Sequence, residues 1–118
     1  MNKEIEEKIE ELWKLCGPID LFDSVDSLKK DIIKFSSMIS PCRKWLSNRN
    51  KLKNIKSNPD SYSLKHEAEN EVDGWMPHSV FVFSAFLEGF ELSSSSLCGD
   101  VYVVSTNIGA VKRSKVAK

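Results

Sequence analysis

Residues Pro77–Leu92 read PHSVFVFSAFLEGFEL, and whether they form a helix or a strand decides what fold the chain can make. Val80, Phe83, Leu87 and Phe90 recur at the helical period with Phe86 beside them, while Ser84, Glu88 and Glu91 gather on another side. A period of two does not produce that arrangement. Two features oppose it: SVFVF is β-branched and aromatic, and Gly89 inside a helix costs about 1 kcal/mol relative to alanine. The spacing outweighs both, and the segment is read as a helix.

Upstream, more helices are expected. Ile5, Ile9, Leu12, Trp13 and Cys16 form one stripe with Glu4, Glu7, Glu10 and Glu11 opposite, and Gly17-Pro18 is a stop. Glu4 with Lys8 and Glu10 with Lys14 are favourable pairs one turn apart. A second helix is expected from a cap at Asp23, with Val25, Leu28, Ile32, Phe35 and Ile39 as its apolar stripe. Packing of these two across the short GPIDLF connection is expected. Pro41 after Ser40 opens a third helix in which Cys42, Trp45 and Leu46 share a face. A break is expected near Asn48–Asn50, then a short turn about Leu52 and Ile55. SNPDSYS, 57–63, is a loop signal, and HEAENEVDG, 66–74, is either a polar helical turn or a loop.

Downstream, the serine run 93–96 reads as a connection and Val101–Thr106 as a strand. TNIG supplies turn residues after which AVKRSKV returns as the partner strand. The expectation is an α+β fold: three or four N-terminal helices, then a C-terminal β-hairpin packed on the helical core. A chain of 118 residues is the size of one small globular domain, taken here as residues 1–118.

Seventeen basic and seventeen acidic residues leave no net charge, so any charged site must come from local segregation. Segregation is present. Arg43, Lys44, Arg49, Lys51, Lys53 and Lys56 lie in CRKWLSNRNKLKNIK, which has no acidic residue, and Glu67, Glu69, Glu71 and Asp73 follow as a mirror block. With Trp45 and Asn48, Asn50 and Asn54 among them, the cations can grip an acidic protein surface or phosphates. The plain alternative is a solvated surface neutralised by residues 67–73. VKRSKVAK at the C-terminus, with Lys112, Arg113, Lys115 and Lys118, extends the positive charge or keeps the chain in solution. Trp75, in the turn DGWMPH, is the tryptophan expected to be exposed and available as an anchor for a partner.

Other chemistry is poorly supplied. HEAEN lacks the second histidine of a two-imidazole zinc helix, and Cys16, Cys42 and Cys98 have no metal-binding or disulfide spacing. No metal or cofactor is expected. Cys42, beside Arg43 and Lys44 near a helix start, is the thiol whose pKa could fall, but burial against Trp45 and Leu46 is its expected fate. His66 and His78 could serve as acid and base in RNA cleavage only if the fold joins them. The N-terminus has no signal-peptide pattern, and the uncharged run Gly74–Leu87 is too short to span a bilayer. These points imply an intracellular, cytoplasmic protein with no membrane association. The functional expectation is a non-enzymatic protein-binding domain of the small inhibitor, immunity or antitoxin-like type, acting through charged patches at residues 43–56 and at Glu67, Glu69 and Glu71. The alternative is a nucleic-acid-binding protein using 43–56 and the basic C-terminus.

Overall fold

The computed structural model describes residues 2–72 and 74–112. In chain order the elements are α1 (Asn2–Cys16), α2 (Val25–Lys34), a 3-10 turn (Ser36–Met38), α3 (Ile39–Ser47), β1 (Arg49–Lys56), α4 (Ser61–Val72), α5 (His78–Leu87), β2 (Ser96–Cys98), β3 (Val101–Val103) and β4 (Thr106–Val111). The fold is α+β, with helices first and most strands last.

The quoted segment is helix α5, and its surroundings explain why its pattern was ambiguous. Every residue from His78 to Ala85 is buried, and α1, α2, α3 and α4 all pack against this helix. A helix covered on every side has no polar face to show, so its stripe is faint. Phe81 and Phe83 are among the largest fully buried side chains, each stabilising by about 1.5–3 kcal/mol relative to exposure. Gly89 is not inside this helix. It follows the cap residue Glu88 at φ +85°, where its N–H bonds to Phe86 O (3.1 Å) and the next N–H, of Phe90, to Ala85 O (3.1 Å). Paired bonds of this kind end helices at a residue in the left-handed region, where glycine carries no Cβ penalty. The glycine that argued against the helix is its stop.

Helix α1 buries Ile9, Leu12 and Cys16 as its stripe requires, and ends where the Gly17 N–H reaches Trp13 O (2.7 Å). Its ion pairs differ from expectation. Lys8 meets Glu11 (3.6 Å), and Glu10 reaches across to Lys29 of α2 rather than to Lys14. Helix α2 is capped by Ser24, not Asp23: the Ser24 Oγ accepts the Ser27 N–H (3.2 Å). It stops at Lys34, short of Pro41, and α3 already begins at Ile39. Pro41 sits within the first turn of α3, where a missing N–H leaves no bond unmade. Helix α4 includes Glu67, Glu69 and Glu71 of the acidic block and also Ser61–Ser63 of the expected loop. Asp60 Oδ1 accepts the Ser63 N–H (3.0 Å) at its start, and Leu64 and Ala68, one turn apart, are buried.

The strands depart most from the expected hairpin. β3 pairs antiparallel with β2, across Gly99–Asp100. The chain then bends at Val104–Ser105, and TNIG forms part of β4, which pairs antiparallel with β1. The segment expected to make a short turn about Leu52 and Ile55 is therefore the strand β1. Asn107 and Gly109 are strand residues for specific reasons. Asn107 is buried, with its amide donating to Leu52 O (3.0 Å) and accepting from Glu91 N–H (2.8 Å). A Cβ at Gly109 would lie 2.9 Å from Leu52 Cδ2 and 3.1 Å from Asn50 O, so close approach to β1 requires glycine there. Asp20, in the α1–α2 connection, exchanges both backbone bonds with Tyr102 (2.8 Å each), fastening β3 to the helical layer. Of the expected return strand, 110–116, residues 113–116 lie outside the described residues.

Candidate functional site

The basic block is divided between two elements, and its members have different fates. On α3, the exposed Arg43 pairs through Nε with Glu88 (2.6 Å), while Lys44 is exposed. Arg49, the first residue of β1, is buried, with 6% of its side chain exposed. It donates from Nη2 to Glu67 (2.9 Å) and from Nε to Gly109 O (3.2 Å), and its guanidinium carbon lies 4.3 Å from the centroid of the Trp45 ring. Arg49 Nη1 is buried without a hydrogen-bond partner among the described residues. Farther along β1, Lys51, Lys53 and Lys56 are exposed. Lys51 lies with its Nζ 5.4 Å from the Phe90 ring centroid.

The acidic block does only part of the neutralising expected of it. Glu67 takes Arg49, and Glu71 accepts the Trp45 Nε1–H (2.7 Å), so these two carboxylates tie α4 to the α3–β1 junction. Glu69 faces elsewhere, toward the Met76 N–H (2.8 Å), His66 Nδ1 (3.1 Å) and Lys65 Nζ (3.4 Å). Partial burial works against the Glu69 charge, but the Met76 N–H, His66 and Lys65 outweigh it and hold the carboxyl below its ordinary range. Asp73 lies outside the described residues. Among the described residues Lys44, Lys51, Lys53 and Lys56 have no ion pair. Thus Trp45, Arg49, Glu67 and Glu71 come together as one cluster, and the lysines stay free of it.

A cleft of about 570 Å³ opens where α3, β1, α4 and β4 meet, with Pro41, Trp45, Val72 and Val111 as apolar lining and Lys44 in its wall. Trp75 is away from this cleft's lining. The residue is 60% exposed, and its ring stands edge-on to Phe35, 5.2 Å between centroids. Of the C-terminal cations only Lys112 is described; its N–H bonds to Asn48 O (2.8 Å) and the residue is exposed.

One constellation had no signal in the sequence. Ser61 Oγ is 2.8 Å from His78 Nε2, and His78 Nδ1 is 3.2 Å from Asp20 Oδ1. The order is that of a serine–histidine–carboxylate relay. Its surroundings are those of a structural pin. Ser61 has no exposed surface and His78 only 3%. Ser61 Oγ already accepts the Val104 N–H (3.0 Å), and the Ser61 N–H returns to Val104 O (2.9 Å). With the imidazole proton on Nδ1, pointed at Asp20, every bond in the set is made: Ser61 donates to Nε2 and accepts from Val104. The network joins the α1–α2 connection, the starts of α4 and α5, and the β3–β4 bend. Burial opposes the Asp20 charge, but the hydrogen bond from His78, the Leu21 N–H and Lys65 overcome this and lower its pKa. Asp20 is also the one described residue other than glycine with positive φ, at 59°.

The two histidines are not joined as an acid–base pair. His66 is exposed and bound to Glu69, and the Tyr62 ring stands edge-on to both, 4.6 Å from His66 and 5.3 Å from His78. The cysteines are all free. Burial pushes the Cys42 thiol up to about 12, the opposite of activation by its basic neighbours, and Cys16 up to about 11. Cys98 is exposed. Among the described residues no three His, Cys, Asp or Glu side chains are grouped so that they could hold a metal ion, and no helix is long and apolar enough to cross a membrane.

Comparison with protein-family models, curated proteins and solved structures gave no match.

Proposed function

We propose that this protein is a non-enzymatic binding protein that docks on an acidic surface of another protein, as small inhibitors, immunity proteins and antitoxins do. The observation that carries the reading is the lysine set on β1: Lys51, Lys53 and Lys56 are exposed on one strand, without ion pairs among the described residues. Internal neutralisation, the plain alternative, reaches Arg43 through Glu88 and Arg49 through Glu67 but none of these three. Lys44 adds a fourth free cation at the cleft beside Trp45, which offers an apolar recess for a side chain of the partner. Exposed charges of one sign raise encounter rates and exclude partners of like charge. Glu67, Glu69 and Glu71 have partners within the fold, so the reading rests on the lysines.

The test is capture of partners from the native lysate at low salt, with and without nuclease, comparing the wild type with Lys51, Lys53 and Lys56 all changed to Glu. One stoichiometric protein that survives nuclease and is lost with the triple change supports the reading. Recovery of that protein by the variant at undiminished yield overturns it. Recovery of nucleic acid, with proteins lost on nuclease treatment, would turn the same lysines toward phosphate, a role open to a two-stranded basic ribbon.

A further inference from the structure

Strand β1 has eight residues, Arg49–Lys56, and among the described residues it pairs with β4 on one side only. Its two carbonyls whose direction is evident face β4: Leu52 O accepts from the Asn107 amide (3.0 Å), and Asn50 O is the atom that a Cβ on Gly109 would meet at 3.1 Å. Backbone groups alternate along a strand, so those of Lys51 and Lys53 face the open edge. The pairing with β4 is also incomplete. Lys51 stands opposite Ile108 and Lys56 opposite Thr106, so the five-residue step along β1 faces a two-residue step along β4. Leu52 to Ile55 have no Cα partner between those points, and Lys53, Asn54 and Ile55 are exposed. Among the described residues the result is a strand edge that no second strand covers, carrying three lysines and Ile55.

Lysines on an edge strand prevent pairing with a like-charged edge, and two copies of β1 side by side would oppose lysine to lysine. The same charges favour an edge of opposite sign. Resting on the acidic-partner reading above, we propose that β1 accepts an extended acidic segment of the partner protein as an added strand, with main-chain bonds to Lys51 and Lys53 and carboxylates set against Lys51, Lys53 and Lys56. Main-chain bonding of this kind supplies affinity while the side chains on the added strand supply selection.

The experiment uses the full-length wild-type chain and two synthetic probes. One is a capped peptide of alternating Glu and Thr, about ten residues long so as to span the strand. The other is the same peptide with alternate backbone nitrogens methylated, which keeps the charge and removes donors. Titration at low salt is followed by backbone amide exchange in NMR. The proposal expects the first peptide to bind, to slow exchange at Lys51 and Lys53 by roughly tenfold or more, and to bind at least about tenfold more tightly than its methylated form. Equal binding of both peptides, with lysine side-chain signals shifted and those amides unprotected, overturns strand addition while leaving the acidic-partner reading in place. Failure of both peptides to bind overturns both. Protection by a single-stranded RNA oligonucleotide, with none by either peptide, replaces the protein partner with nucleic acid.

Discussion

Replacing Ser61 by alanine tests whether the serine–histidine–aspartate set is a pin or a reactive centre. The hydroxyl serves two buried groups: it accepts the Val104 N–H (3.0 Å) and meets His78 Nε2 (2.8 Å). Val104 is 1% exposed and His78 3%, so neither can turn to bulk water when the oxygen is gone. A buried polar group left without its partner costs about 1–3 kcal/mol. Two such groups bring the expected loss for Ser61→Ala to about 3 kcal/mol, a large share of a domain stability of about 5–15 kcal/mol. Urea unfolding should show the midpoint falling with its slope unchanged, because the surface exposed on unfolding is nearly the same. The thermal midpoint should drop by about 10–15 °C. A loss below about 0.5 kcal/mol would refute the reasoning, because the oxygen would then not be holding the two groups. Treatment of the folded wild type with a serine-directed fluorophosphonate gives an independent check. No labelling is expected at Ser61, and stoichiometric labelling there would show that reagents reach an oxygen the structure buries.

Three other outcomes follow from the geometry. Asp20→Asn keeps a residue that tolerates positive φ but removes the charge facing His78. The folded pKa of Asp20 lies below 3.8, so its contribution to stability is present above that value and is lost as pH falls through and below it. The variant should lose less stability on acidification than the wild type, and parallel pH–stability curves would contradict this. Arg49→Met removes a charged bond to Gly109 O, a pair with half-exposed Glu67 and the stacking on Trp45, for an expected loss of about 2–3 kcal/mol in urea. Arg49→Lys should recover less than half of it, since an ammonium cannot present the same fork, and full recovery would show that charge alone matters there. Gly109→Ala should destabilise by about 1–3 kcal/mol and speed amide exchange along β1 and β4, because its Cβ meets Leu52 Cδ2 at 2.9 Å and Asn50 O at 3.1 Å. Unchanged exchange would mean that the two strands are not in the contact described.

The helices were legible where local pattern and burial coincide. Helix α1 has one wet and one dry face, so Ile9, Leu12 and Cys16 announced it, and α3 showed its buried Cys42, Trp45 and Leu46 in the same way. Helix α5 was legible with more difficulty, because burial on all sides removes the contrast that periodicity measures. The segregation of charge, the exposure of Trp75 and the burial of Cys42 could also be read from neighbouring residues. The strand pairing could not. RNKLKNIK has no alternation to mark a strand, and TNIG has the composition of a turn; each becomes a strand because the other supplies its partner across roughly half the chain. The same separation hid the Ser61, His78 and Asp20 network, whose members lie on three segments that meet only around the core. Composition and spacing thus determined α1, α2, α3 and α5 and the existence of a positive segment, and left α4 open. Which cations are spent within the fold and which remain on an open edge was decided by long-range contacts, since a side chain's partner depends on what the folded chain brings beside it.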